Sequence, residues 1–269
     1  MSVERAFYEQ KDLWGTENDL DQERTLIRAT EMAKLMPSDV ASVLDVGTGD
    51  GRLLHPLVSM LPGDPFVVGL DRSAMALSHL GQQSTQGSAD ALPFADESFD
   101  VVIACEILEH LPEPIYREAR AELARVARRS VIITVPNREK LSRATLRCEV
   151  CNCRYNRRRH LRRFERETFD GLLDGFTVAA AEEFGHHTRI YPPRIRQELE
   201  RRGVLSVHDA PECPQCGQAH GRRASDAQHV EASHGDNAQS IEKSSYFRVR
   251  SLVPAERRPY WLGVRLDRA

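Results

Sequence analysis

The chain has 269 residues, with 37 Lys and Arg against 40 Asp and Glu and a formal net charge of −3 at pH 7. This length fits one large domain, or a domain with a small insert, and is sufficient to bury a core. The slightly acidic balance argues against nucleic-acid binding through net charge alone. No apolar run approaches the roughly 20 residues of a membrane-spanning helix, and the charged N-terminus lacks a signal-type apolar core. We therefore expect a cytoplasmic protein without a membrane partner.

The first half of the chain alternates between helical and strand-like segments. Four short, apolar, β-branched segments predict strands buried on both faces of a sheet: residues 41–47, 66–71, 99–107 and 130–136. Amphipathic segments predict helices at about residues 23–36 and 51–61, after Ser73, and from Pro114 onward. The alternation predicts a doubly wound α/β fold with a mostly parallel sheet. Pro56 conflicts with the second helix and is expected to shorten or kink it.

The C-terminal half carries fewer regular patterns. Residues 165–176 predict a helix, and residues 177–185 and 259–268 predict strands. Residues 246–253 predict a further strand. The polar stretch 221–244 predicts a mobile loop, because it has too few large apolar residues to offset the entropy of ordering it.

Three glycines alternate in the segment LDVGTGDGRLL, which includes the end of the first predicted strand: Gly47, Gly49 and Gly51. Glycines in such a turn make room for a nucleotide. In a dinucleotide site the third glycine of GxGxxG would stand at Arg52, so that pattern is incomplete. Asp71, at the end of the second strand, can accept hydrogen bonds from both hydroxyls of a ribose. These features alone fit NAD and adenosyl ligands almost equally.

The stretch SADALPFADESFDVVIACEILEHL, residues 88–111, resembles the central block of class I S-adenosylmethionine-dependent methyltransferases, especially the bacterial small-molecule group. VLDVGTGDGRLL is similar to that family's first motif and VVGLDRS to its second. The resemblance covers residues 39–137 closely. It implies a Rossmann-like fold, S-adenosyl-L-methionine as the cofactor and methyl transfer to O or N of a small or conjugated biosynthetic intermediate. It also implies a cofactor pocket lined by Asp45, Gly47, Gly49, Gly51, Asp71, Arg72, Asp90, Ala91 and Glu106.

Glu106 and His110 lie at the carboxyl end of the predicted strand 99–107 and just after it. They are the candidate catalytic residues, because ligands bind at the carboxyl ends of parallel strands. Either could act as a general base toward a hydroxyl acceptor. The resemblance equally allows a packing or loop-fixing role for His110. Residues 1–38 are interpreted as an N-terminal helical lid, in which Tyr8 could cover the site or simply anchor the segment.

Two CxxC pairs predict a structural zinc site with four thiolates, because this spacing suits tetrahedral zinc and a reducing cytosol disfavours disulfides. The chosen ligands are Cys148, Cys151, Cys213 and Cys216, with Cys153, His160 and His220 as substitutes. Free reduced thiols are the alternative. The zinc lobe would comprise residues 146–164 with 210–220, inserted in a methyltransferase domain of residues 39–145 and 165–269.

Six arginines crowd the same region: Arg154, Arg157, Arg158, Arg159, Arg162 and Arg163. They predict either a solvated helix face or a site for an anionic acceptor, with Arg158, Arg159 and His160 as candidate contacts together with Tyr8. RNA methylation is an alternative function, weakened by the scarcity of aromatic residues for base stacking. A non-catalytic protein that senses the cofactor is a further alternative.

Overall fold

A computed structural model describes residues 8–9, 14, 19–80, 83–192, 194–195, 212–218 and 256–269. The chain forms two compact units, which are described separately. The first comprises Met1–Thr145, Arg159–His186 and Pro259–Ala269, and the second comprises Leu146–Arg158 and His187–Arg258. Residues 159–164, expected in the zinc lobe, thus belong to the first unit. Predicted segments 221–244 and 246–253 lie outside the described residues.

A seven-stranded sheet has the order β3-β2-β1-β4-β5-β9-β8, and a two-stranded sheet pairs β6 with β7. The strands are β1 Ser42–Val46, β2 Phe66–Asp71, β3 Ser84–Gln86, β4 Phe99–Cys105, β5 Ala127–Pro136, β6 Thr145–Arg147, β7 Arg154–Asn156, β8 Phe176–Ile190 and β9 Glu256–Arg268. The helices are α1 Asp19–Leu35, α2 Leu54–Met60, α3 Ala74–Leu77 and α4 Glu113–Val126. Short 3₁₀ turns span Leu108–His110, Leu141–Ala144 and Arg166–Phe169.

Strands β1 to β5 run parallel, and β9 is antiparallel to β5. The predicted α/β class with a mostly parallel sheet is therefore confirmed. The chain adds β2 and β3 on one side of β1 and then adds β4 on the opposite side of β1. The strand order therefore reverses between β1 and β4. In open α/β sheets, ligands bind at such a switch point, beyond the carboxyl ends of the strands.

Both faces of the sheet are buried. On β1, Leu44 and Val46 pack in the core that also contains Phe164 and Phe169. Val43, which precedes Leu44 and points to the opposite face of the sheet, packs in the other core with α1 and α2. This burial on both faces explains why the strands are continuous apolar runs rather than alternating ones.

Helix α2 is shorter than the predicted helix 51–61 and contains Pro56. Pro56 is tolerated because α2 begins at Leu54, which puts the proline in the first turn, where its missing amide costs no helical hydrogen bond.

The helix predicted over residues 165–176 is wrong: only the 3₁₀ turn Arg166–Phe169 forms there. Gly171 and Gly175 follow at φ +70° and +77°, a left-handed conformation that interrupts a helix.

Of the described helices, none combines the length and apolar composition that a membrane span requires.

Candidate functional site

The glycine turn joins the end of β1 to α2 and lies at the switch point. The amides of Gly47 and Thr48 both donate to the Leu70 carbonyl, at 2.7 and 3.1 Å, which ties the turn to β2. Gly47 has φ +79°, and a Cβ there would lie 2.7 Å from Ile107 Cδ1. Position 47 therefore requires glycine, both for its positive φ and because the loop after β4 approaches it closely.

Asp71 ends β2 beside this turn. Its Oδ2 accepts a hydrogen bond from the Gly49 amide at 2.9 Å, and its Oδ1 accepts one from the Ser73 amide at 2.8 Å. Burial raises the pKa of this carboxyl, and the two backbone amides oppose that rise. Each oxygen retains a lone pair, so the fixed carboxylate can still accept hydrogen bonds from ligand hydroxyls.

Asp45 is a buried carboxyl near the carboxyl end of the apolar strand β1 and is only 3% exposed. Burial raises its pKa to about 6, with the Thr48 side-chain hydrogen bond opposing and the Asp71 charge adding to the rise. A carboxyl desolvated to this degree gains from a cationic ligand, because an opposite charge favours its ionised form.

Asp90 and Ala91 form a tight turn after β3. The Ser88 hydroxyl donates to the Asp90 carboxylate, and the Ala91 amide donates to the Ser88 carbonyl at 3.1 Å. Asp90 is half-buried. The turn holds its carboxylate in one position, as a contact to a base amino group would require.

Two N-terminal residues, Tyr8 and Trp14, contact the glycine turn and the start of α3. The Tyr8 carbonyl accepts hydrogen bonds from the Ser73 hydroxyl and the Trp14 indole, both at 2.8 Å. The Tyr8 ring lies under the Arg72 guanidinium, 4.8 Å from its centroid. A methyl group on Gly49 would lie 3.0 Å from the Trp14 ring. These contacts favour the lid interpretation.

Glu106 follows β4 with φ +52°, and its amide donates to the Thr134 carbonyl at 2.9 Å. Burial raises the pKa of its carboxyl, and the charge of Arg28 is the largest effect that opposes the rise. Buried polar atoms of Glu106, Thr134 and Trp261 lack a hydrogen-bond partner among the described residues. This end of the sheet is thus lined with polar groups suited to contact a ligand.

His110 is half-buried and lies beside the buried His160, with ring centroids 4.7 Å apart. Burial, followed by the charge of His160, lowers the pKa of His110 to about 3. Its imidazole is therefore neutral at pH 7. His160 Nδ1 is hydrogen-bonded to the Glu139 carboxylate. Sequence reasoning missed Glu109, which lies next to His110 and is 1% exposed, although the segment EILEHL placed it within one helical turn of Glu106.

The second unit brings together the four predicted zinc ligands. The sulfur atoms of Cys148, Cys151, Cys213 and Cys216 all lie within 4.8 Å of one another. Cys148 Sγ is 3.6 Å from Cys216 Sγ, and Cys151 Sγ is 3.5 Å from Cys213 Sγ. Tetrahedral zinc with bonds of about 2.3 Å separates its sulfurs by about 3.8 Å. Of the three substitutes, Cys153 lies outside the group of four, His160 groups with Glu109 and His110, and His220 lies outside the described residues.

The two CxxC pairs have the same backbone. In each pair, the amide of the residue four positions after the first cysteine donates to that cysteine's carbonyl. Asn152 donates to Cys148 at 3.0 Å, and Gly217 donates to Cys213 at 2.8 Å. Both residues have positive φ, +66° and +72°. Burial acts to raise the pKa of the Cys213 thiol, but the backbone amides of Gln215 and Cys216 lower it to about 6. Amides directed at sulfur favour the thiolate that a metal binds.

The arginine run contains no helix over residues 154–163, so the helix-face alternative is wrong. Arg162 donates to the carbonyls of Leu108 and Leu111 at 2.7 and 2.5 Å, and it stacks 3.7 Å over the Tyr116 ring. It therefore fixes the turn after β4. Arg163 forms an ion pair with Glu165 at 2.8 Å.

Of the proposed acceptor contacts, Arg158 is exposed in the second unit, and Arg159 is half-buried in the first unit with φ +62°.

Residues 43–130 match the family model described as Methyltransferase domain. A ubiquinone biosynthesis O-methyltransferase of Azorhizobium caulinodans is 35% identical over 88 residues, which cover 29% of this chain and 34% of that protein. A demethylmenaquinone methyltransferase of Roseiflexus sp. is 34% identical over 109 residues, which cover 38% of this chain and 44% of that protein. The chain thus spans less than half the length of either relative.

Among solved structures, a SAM-dependent methyltransferase from Archaeoglobus fulgidus is similar, with a TM-score of 0.51. The alignment covers 91% of this chain and 94% of the Archaeoglobus chain. At 14% identity this similarity shows the fold alone. The fold is the Rossmann-like fold of class I methyltransferases, as the sequence predicts.

Proposed function

We propose that this chain is a class I methyltransferase that transfers a methyl group from S-adenosyl-L-methionine to O or N of a small or conjugated biosynthetic intermediate. The observation that carries the proposal is the Asp71 carboxylate, which the Gly49 and Ser73 amides hold at the switch point of the sheet. It lies within the region that matches the methyltransferase domain.

The chain offers a contact for each part of that cofactor. Asp71 would accept the ribose hydroxyls, Asp90 and Ala91 would meet the adenine, and buried Asp45 would hold the methionyl ammonium. Gly47 and Gly49 allow close backbone approach at the turn. When bound, the cofactor supplies a methyl group activated by a positive sulfur. The protein's part is to hold the acceptor at near-attack distance and exclude water.

The acceptor is proposed to be a small molecule. The two partial relatives are named as a ubiquinone biosynthesis O-methyltransferase and a demethylmenaquinone methyltransferase, which favours a small acceptor over RNA. Arg162 and Arg163 have partners within the chain, which leaves fewer arginines for a nucleic-acid backbone. Glu106 and His110 remain the candidate bases, and Arg158 and Arg159 the candidate contacts to an anionic acceptor.

We further propose that Cys148, Cys151, Cys213 and Cys216 bind a structural zinc ion. The clustering of their sulfur atoms and the matching backbone of the two CxxC pairs support this assignment. Four thiolates leave no open coordination position, so this metal would stabilise the second unit rather than take part in the reaction.

The proposal is tested by incubating the full-length protein with methyl-labelled cofactor and either the small-molecule or the RNA fraction of a cell extract. Label should enter small molecules. Asp71→Ala should strongly reduce labelling by removing the ribose acceptor, whereas Asp174→Ala, at an exposed position, should leave it unchanged. Labelling of RNA alone would overturn the acceptor class, and cofactor binding without labelling in either fraction would overturn the activity.

A further inference from the structure

A second group of potential metal ligands lies in the first unit, apart from the cysteines. Glu109 and His110 belong to the 3₁₀ turn after β4, and the segment after β5 returns to place His160 beside them. The Leu161 amide donates to the Glu109 carbonyl at 2.7 Å, which fixes this return. One potential ligand atom from each of Glu109, His110 and His160 lies within 4.8 Å of the others.

Two of the three residues, Glu109 and His160, are buried, and the group contains buried polar atoms without a hydrogen-bond partner among the described residues. Glu109 is 1% exposed and His160 is 6% exposed. Neither carboxylate oxygen of Glu109 has a hydrogen-bond partner among the described residues, and the same holds for His110 Nδ1. Buried polar atoms are nearly always hydrogen-bonded, so three such atoms in two adjacent side chains call for a ligand.

His160 is held in the orientation that a metal-binding histidine usually has. Its Nδ1 is hydrogen-bonded to the Glu139 carboxylate, so Nε2 is the ring nitrogen that would bind a metal. Metal-binding histidines commonly use one ring nitrogen for the metal and the other for a carboxylate, which fixes the ring and makes it a better ligand. The neighbouring carboxylates also favour a cation in this place.

From this geometry we propose that Glu109, His110 and His160 bind a divalent first-row transition metal ion, with Glu139 as the residue that orients His160. Imidazole and carboxylate ligands suit such ions, whereas the four thiolates of the second unit favour zinc. Ligand atoms on opposite sides of a metal with bonds of about 2.0–2.2 Å lie about 4 Å apart. Because the ligand atoms lie within 4.8 Å of one another, only small side-chain rotations are needed to bring them to these separations.

Three protein ligands leave coordination positions open. An acceptor oxygen could occupy one of them and lose its proton more readily there. This consequence rests on the proposed methyl transfer, but the metal site itself does not. Metal binding is therefore measured without cofactor or acceptor, so that its failure is distinct from a failure of the proposed activity.

The experiment titrates full-length protein with Mn²⁺ and follows the free ion by electron paramagnetic resonance, while elemental analysis counts metal already bound. Mn²⁺ prefers oxygen and nitrogen ligands, so the thiolates should contribute little. We expect one Mn²⁺ per chain, and loss of at least about tenfold in affinity in Glu109→Gln and in His160→Gln. Glu139→Gln should weaken binding by about 10- to 100-fold, as expected for a residue that orients a ligand.

Glu182→Gln, at an exposed position of the first unit, is the matched control and should bind Mn²⁺ as the parent protein does. Circular dichroism and thermal unfolding identify any variant that fails to fold, in which case the remaining variants decide. The site is refuted if the parent protein contains no first-row metal beyond the zinc of the cysteines and binds neither Mn²⁺ nor Co²⁺. Binding that is unchanged in all folded ligand variants would refute it equally.

Discussion

At the scale of single residues, Asp45 best shows how the fold alters chemistry. A carboxyl in a strand that reads as a continuous apolar run would normally be excluded from the core. Here it is buried next to the glycine turn, and burial raises its pKa to about 6. The unfavourable placement is understandable if the residue exists to meet a positive group of the cofactor.

Asp45 therefore predicts a pH dependence of cofactor binding. The carboxyl must be ionised to attract the methionyl ammonium, and its pKa of about 6 in the free protein puts protonation just below neutrality. Affinity for S-adenosylhomocysteine should be constant at about pH 8 and should fall by up to about tenfold per pH unit below the pKa. Calorimetric titrations across this range measure it.

Asp45→Asn is the matched variant, since it keeps the shape of the side chain and removes its titration. It should bind more weakly at about pH 8 and lose most of the pH dependence. A parent protein whose affinity is the same at about pH 5 and about pH 8 would show that Asp45 does not hold the ammonium.

At the scale of elements, the two CxxC turns act as a pair. Each has the same hydrogen-bonded backbone and a left-handed residue after its second cysteine, Asn152 in one and Gly217 in the other. The second unit's described hydrophobic cluster is small and consists of Cys148, Cys213 and Tyr155 with a few partly buried neighbours. A metal bound by both turns would thus supply much of the energy that joins them.

We predict that Cys213→Ser lowers the zinc content of the purified protein by about one ion per chain and lowers the melting temperature, because metal-binding energy is also folding energy. Cys153→Ser is the matched control from the same segment and should keep its zinc. Elemental analysis and thermal unfolding provide both readouts. Equal zinc content in the two variants would remove the four-cysteine assignment.

The elements also show where prediction from sequence succeeds. β2 forms over the predicted residues 66–71, because an apolar β-branched run bounded by turn residues has few alternatives. The prediction of a helix over residues 165–176 is wrong, although the apolar spacing of that segment suits a helix. There Gly171 takes a left-handed conformation, and Phe169 is fully buried by packing that the local pattern does not reveal.

At the scale of the whole molecule, the sheet order explains why the proposed cofactor contacts could be predicted from sequence and the group around His160 could not. Asp45, Asp71 and Asp90 each lie in or just after a strand within a contiguous motif region, so parallel order alone predicts that they converge. His160 reaches Glu109 and Glu139 only through the return of the chain after β5. Such contacts depend on tertiary packing that no local spacing encodes.

The central claim is that the crevice at the ends of β1 and β4 binds an adenosyl cofactor rather than a dinucleotide. Calorimetric titration of the full-length protein with S-adenosylhomocysteine and with NAD tests it most directly. We predict binding of S-adenosylhomocysteine alone, weakened by about 10- to 100-fold in Asp71→Ala, because a hydrogen bond to a charged group contributes about 1.5–3 kcal/mol. Tight binding of NAD without a response to S-adenosylhomocysteine would contradict the account.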